Sequence, residues 1–378
     1  MNRSFWQGRR VFLTGHTGFK GAWAAAWLSA LGAEVTGYAL APGTEPNLWT
    51  LLGLSGVRSV IADLNDRPAL DRALREARPE VIVHLAAQAL VRRSYGDPVG
   101  TFATNVLGTV QILDAARACS DLRAVVVATS DKAYENVEQI WGYRESDRMG
   151  GRDPYSASKG AAEIAAQAMA RSFFAPHGGH PARVATVRAG NVIGGGDWSE
   201  DRLVPDIVRG CLGGTGQVTL RAPDSVRPWQ HVLEPLRGYL MVAERLSAGD
   251  DEAAAGWNFG PERTDERAVR EVAGAIVAAL GQGRIVVDET RATLHEAKTL
   301  RLDCTKARVE LGWTPRLGFD DCVRLTAGWY AAWANGRDAP GLTRARAAPR
   351  RGRGPPSPGP TGVAWMVRSR PARGTTDG

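Results

Sequence analysis

Unbroken apolar runs alternate with amphipathic or Ala-rich stretches through the first half of the chain. RVFLT (10–14), EVTGY (34–38) and VRSVIAD (57–63) are short β-rich runs, while VIVHLAA (81–87) and AVVVATS (124–130) are continuous apolar segments. A continuous run lacks the in–out alternation of a half-exposed strand, so the last two predict strands covered on both faces. Between the strands, the pattern predicts helices over 20–31, 67–77 and 99–119. A further helix from Tyr155 leads to a strand over 182–190. Such βαβ alternation predicts an α/β fold with a doubly wound parallel sheet.

After Gly190 the texture changes to a Gly-rich loop, GNVIGGGDW, followed by short strands and helices near 203–212, 231–247, 265–280 and 319–335. This predicts a nucleotide-binding domain over 1–190 and a smaller substrate-binding α/β lobe over 191–336, with some exchange of chain between them. The run from Arg337 to Gly378 is dense in Pro, Gly and Arg, with almost no apolar periodicity. It has too little to bury against its ordering entropy, which predicts a disordered tail.

Charge alters this picture little. The chain's formal net charge of +7 is carried by the nine Arg and two Asp of that tail, and the rest is neutral. The folded part therefore lacks the footprint of a nucleic-acid binder. A binding role for the basic tail is the remote alternative, and the tail holds a single aromatic residue, Trp365. The four cysteines are widely spaced, with no zinc-ligand pattern, and neither His231 nor His295 has metal-ligand partners at useful spacing. No apolar segment has membrane-spanning length, so the expectation is a cytoplasmic protein with no metal and no membrane partner.

Chemistry enters at VFLTGHTGFKGAW. Gly15, Gly18 and Gly21 fall between the first strand and the first helix, where absent side chains permit a tight turn close to a pyrophosphate and the helix N-terminus favours its charge. A Rossmann-like nucleotide site follows from that context. The acidic residue expected near the end of the second strand is missing from GYALAPGTEP, leaving NAD against NADP open at this point. Asp63, after the third strand, is an adenine clamp, the N-cap of helix 67–77, or both. Tyr155 and Lys159 lie four apart on a predicted helix and share a face; a nearby ammonium would lower the tyrosine pKa and make it a base. Asp131-Lys132 is an oddly charged end to an apolar strand.

TGHTGFKG, LAAQ (85–88), TSDKAYEN (129–136) and YSASK (155–159) together resemble the extended short-chain dehydrogenase/reductases that act on nucleotide sugars. GYALAPGTEPNLW, AGNVIGGGDWSEDRLVPD, RPWQHVLEPLRGYL and HEAKTLRLDCTKARVELGW are similar to the 4,6-dehydratase branch that takes CDP-glucose. The resemblance implies NAD held by Gly15, Thr17, Gly18, Phe19, Lys20, Gly21, Asp63, Leu64, Leu85, Ala86 and Ala87, with Tyr155 and Lys159. It implies Ser130 on the sugar's 4-hydroxyl, Tyr155 as base, and Asp131 as the acid for a leaving hydroxyl. Lys132 then either moves the C5 proton, given a pKa lowered by burial or nearby positive charge, or stabilises an enolate with a water or Tyr155 as base. Asn191, Arg202, Arg221, Arg227 and His231 are the implied substrate contacts, and a homodimer or homotetramer the implied assembly. A C4 epimerase or another nucleotide-sugar oxidoreductase of the same fold is the alternative reading.

Overall fold

Seven strands pair side by side in a parallel sheet: β1 (Arg10–Thr14), β2 (Glu34–Ala39), β3 (Arg58–Ile61), β4 (Val81–His84), β5 (Ala124–Ala128), β6 (His180–Ala189) and β7 (Gly256–Phe259). The computed structural model describes residues 2–287 and 299–347. The spatial order is β7-β6-β5-β4-β1-β2-β3, with a two-residue strand, Phe174–Ala175, added against β6. Strand order reverses between β1 and β4, which opens a crevice at the carboxyl ends of the strands. His295, and the sequence from 348 onward, lie outside the described residues.

The apolar runs behave as their lack of alternation requires. Along β5, Ala124 and Val126 enter one core layer while Val125 and Val127 enter the other. In β4, Val81 and Val83 face the first layer and Ile82 the second. The first layer holds helix Phe19–Ala30 with Trp23 and Trp27; the second holds helices Arg67–Ala77, Gly108–Ala116 and Pro154–Phe173. β7, far along the chain, closes the β6 edge and ties the second half to the first sheet.

Two expectations are corrected here. The helix read over 99–119 is broken by a π turn at Ala103–Leu107. That turn buries Asn105, whose side chain accepts from Gln88 N and donates to Gln88 O and Ser158 Oγ. One extra residue in the turn aims a polar side chain inward, which hydrophobic periodicity cannot show. The disordered run expected from Arg337 starts too early: Ala339–Ala347 is a helix. Thr343 and Ala347 are buried there, and Thr343 Oγ1 accepts from Trp329 Nε1 at 2.7 Å.

Candidate active site

One cavity of about 960 Å³ follows the carboxyl ends of the sheet strands. At its cofactor end, β1 runs into Gly15, which has φ +76° and backs onto the chain at Ala86, where a Cβ would approach Ala86 N to 2.7 Å. Gly21 is tighter still, since a Cβ would lie 1.9 Å from Gly15 O. Helix Phe19–Ala30 has no side-chain cap, so its first N–H groups face the turn without an internal acceptor. Gly15, Thr17, Gly18, Phe19, Lys20 and Gly21 line the cavity with Asp63, Leu64, Leu85, Ala86 and Ala87. The cap of helix Arg67–Ala77 is Asp66, which accepts from Ala69 N, so the capping alternative for Asp63 is corrected.

At the other end, β5 stops at Ala128 and the chain makes a single 3₁₀ turn over Asp131–Ala133, with Ser130 Oγ accepting from Lys132 N. Ser130, Asp131 and Lys132 line the cavity, and Ser130 donates to Asp131 Oδ1 at 3.0 Å. Asp131 is 3% exposed, and its Oδ2 has no hydrogen-bond partner among the described residues. Burial pushes its carboxyl above the ordinary range, with Lys132, Ser130 and Arg227 pulling the other way.

Helix Pro154–Phe173 supplies the next pair. Its start is set by Asp153, which caps Ser156 N, and by Pro154 in the first turn. Tyr155 and Lys159 therefore enter the same cavity one turn apart. The lysine pKa falls to about 8 through burial, partly opposed by Glu163. Tyr155 is raised, chiefly by burial, with nearby Ser130 acting against the rise. The acidified phenol expected from a neighbouring ammonium is thus corrected: withdrawal from solvent dominates.

Asn191, Arg202, Arg221 and Arg227 also line the cavity. Arg221 pairs with Asp201 at 2.9 Å and reaches Asp206 at 3.9 Å, while Arg202 donates to Ala89 O. His231 is corrected. It is fully buried outside the cavity wall, edge-on to Trp23, and burial lowers its pKa to about 3. The short strand Gln230–His231 turns it into the core behind the site.

Sequence reasoning undervalued two features. Lys20, read as part of the cofactor loop, sits close enough to Asp131, Lys159 and Arg202 to feel each charge, and its Nζ is 3.5 Å from the Tyr239 hydroxyl. Behind Lys159, Glu163 and Arg188 form a fully buried bidentate pair at 2.8 Å on both arms. Thr129 and Tyr134 complete that cluster. Glu163 continues the Tyr155/Lys159 face by another four residues, a spacing that was readable; Arg188 lies on another strand and gave no local signal. Among the described residues no group of His, Cys, Asp and Glu could hold a metal ion, and no helix is long and apolar enough to cross a membrane.

The profile of the GDP-mannose 4,6 dehydratase family matches residues 12–326. The chain belongs to this family. It is 47% identical to the CDP-glucose 4,6-dehydratase of Salmonella typhimurium over 341 residues, covering 89% of this chain and 95% of that one. It is 32% identical to the dTDP-glucose 4,6-dehydratase of Streptomyces antibioticus, covering 79% and 84%. Among solved structures, the dTDP-glucose 4,6-dehydratase of Streptomyces venezuelae, with NAD and TYD bound, superposes with a TM-score of 0.71 at 26% identity, covering 88% of this chain and 99% of that one.

Proposed function

We propose that the chain converts CDP-glucose to CDP-4-keto-6-deoxyglucose, an NAD-dependent dehydration on a route to deoxysugars. The observation that carries the reading is Asp131. Its carboxyl is buried and driven toward its protonated form, in the same cavity as Tyr155 and Lys159. An acid beside an oxidising base suits loss of a hydroxyl, which a simple epimerisation does not need. Likeness to the Salmonella enzyme supports CDP-glucose as the substrate.

The cofactor end fits a dinucleotide. A uncapped helix N-terminus beside the glycine turn suits a pyrophosphate. Residues 40–49 contain no Lys or Arg to meet a 2′-phosphate, which favours NAD over NADP. NAD, when bound, accepts the C4 hydride and returns it to C6. Tyr155 takes the C4 hydroxyl proton while Ser130 orients that hydroxyl and Lys159 holds the nicotinamide ribose. The C4 ketone acidifies the C5 proton, and Asp131 protonates the departing C6 hydroxyl. Lys132 supplies positive charge beside the enolate, while a water in the cavity takes the C5 proton and returns it to C5 after the hydride reaches C6. Arg227, Arg202 and Arg221, with Asn191, contact the nucleotide-sugar diphosphate from the 191–336 lobe.

The proposed setting is the cytoplasm, as a homodimer or homotetramer. The resemblance places a dimer face on the helices over 99–119 and 155–176, which leave Val99, Leu107 and Ile164 exposed, apolar surface that a second copy would cover. Incubating the protein and NAD with CDP-glucose, dTDP-glucose, UDP-glucose and GDP-mannose tests the function. The expected result is a base-induced 4-keto chromophore from CDP-glucose alone, and no product from any of the four overturns it.

A further inference from the structure

We propose that the buried Glu163–Arg188 pair is a positioning clamp, fixing the turn that carries Asp131 against the helix that carries Tyr155 and Lys159. The inference rests on the dehydration reading above. That reaction draws its groups from two elements. Tyr155 and Lys159 ride on helix Pro154–Phe173, whereas Ser130, Asp131 and Lys132 belong to the turn after β5. Oxidation at C4 is served mainly by the helix. Loss of water from C6 needs turn and helix in register on one sugar.

Both ends of the turn are tied to this one ion pair. On the near side, Thr129 Oγ1 donates to Glu163 Oε1. On the far side, Arg188 Nη1 donates to the Tyr134 hydroxyl at 2.5 Å. The pair itself joins Arg188 Nε to Glu163 Oε1 and Nη2 to Oε2, each at 2.8 Å, with both side chains fully buried. The same two side chains therefore hold residues 129 and 134, which bracket Ser130, Asp131 and Lys132. Tyr134 passes the tie on: its hydroxyl donates to Asn258 Oδ1 at 2.8 Å, and Asn258 lies on β7. The residues between the fixed points are closed internally, since Lys132 N donates to Ser130 Oγ.

Joining helix to β6 does not by itself call for an ion pair, because apolar side chains can do that without the desolvation cost. Apolar side chains cannot accept from a threonine and donate to a tyrosine, which fixes two points in direction as well as distance. Burial would raise the Glu163 carboxyl, but Arg188, with Thr129, draws it below the ordinary range. The acceptor thus stays ionised and its bonds are charge-assisted, the stronger kind.

The test separates the steps in single turnovers of the full-length protein with NAD and CDP-glucose. NADH absorbance rises with oxidation at C4 and falls once elimination has opened C6 to the returning hydride. Thr129→Val and Tyr134→Phe each remove one tie and keep the ion pair. In each, oxidation should slow by no more than about threefold while elimination slows by about tenfold or more, so that NADH accumulates. Thr129→Ser, which keeps the hydroxyl, should restore the wild-type ratio of the two rates. An unfolded fraction lowers the amplitude and leaves that ratio alone, so lost stability does not mimic the effect. Equal slowing of both steps, an unchanged ratio in both variants, or a Thr129→Ser chain that behaves like Thr129→Val would mean that the pair serves the fold alone, and the dehydration reading stands. A wild type that makes no 4-keto-6-deoxy product removes both.

Discussion

Lys20 shows how much one side chain's surroundings alter its chemistry. Its position in TGHTGFKG reads as part of the cofactor loop, yet in the fold its ammonium shares the cavity with Lys159 and Arg202, and Asp131 is the acid that opposes them. Burial, reinforced by those cations, draws its pKa from 10.5 down to about 7. The consequence for stability has a definite sign. Between pH 7 and 10.5 the unfolded chain holds a proton at this lysine that the folded chain has released, so stability rises with pH across that window. Below pH 7 the lysine is charged in both states and the full cost of burying the charge applies. Lys20→Met should therefore be more stable than the wild type at pH 6, and the gap should close as the pH approaches 10.5. Urea midpoints at several pH values measure this, and a gap that stays constant with pH would contradict it.

At the scale of elements, helix Pro154–Phe173 organises the chemistry by its period alone, placing Tyr155, Lys159 and Glu163 along one face. The first two reach the cavity. The third is pinned from behind by Arg188 on β6, with both side chains at 0% exposure. A buried charge left without its partner is costly, so Glu163→Ala should lose about 3–5 kcal/mol in chemical denaturation. Replacing both residues by apolar ones of similar volume should recover most of that loss, and an unchanged single variant would show that the pair is not what holds helix and strand together. This pair also marks the limit of what the sequence could disclose. β1, β4 and β5 were legible because a run such as VIVH has no exposed face to alternate with. The glycine turn and the Tyr155/Lys159 pair were legible because their spacing lies within one turn or one helix. The partnership of Glu163 with Arg188 depends on β6 lying beside β5, and the burial of His231 depends on a two-residue strand pairing with Val192–Ile193. Both are products of tertiary pairing, and no local pattern encodes them.

For the whole molecule, the segment read as featureless beyond Arg337 contributes to the site through packing. Helix Ala339–Ala347 lies against helix Phe19–Ala30, the element that opens at the glycine turn, and against helix Phe319–Ala334. Arg344 donates to Leu52 O at 3.0 Å and Arg346 to Leu325 O at 2.8 Å, while Leu342 packs on the main core. Its Ala/Gly/Arg-rich composition hid it, because its stability comes from the surface it covers and hardly from its own apolar content. A chain ending at residue 336 would uncover Trp329, whose indole N–H now donates to Thr343, together with one flank of the helix that carries the cofactor turn. Compared with a chain ending at residue 347, it should lose about 1–3 kcal/mol and melt a few degrees lower. Because the uncovered flank belongs to the helix behind Gly15–Gly21, the KM for NAD should rise more than kcat falls. Calorimetry and NAD titration of the two truncations measure both effects. Equal melting temperatures with equal KM values would mean that this helix supports neither the fold nor the cofactor turn.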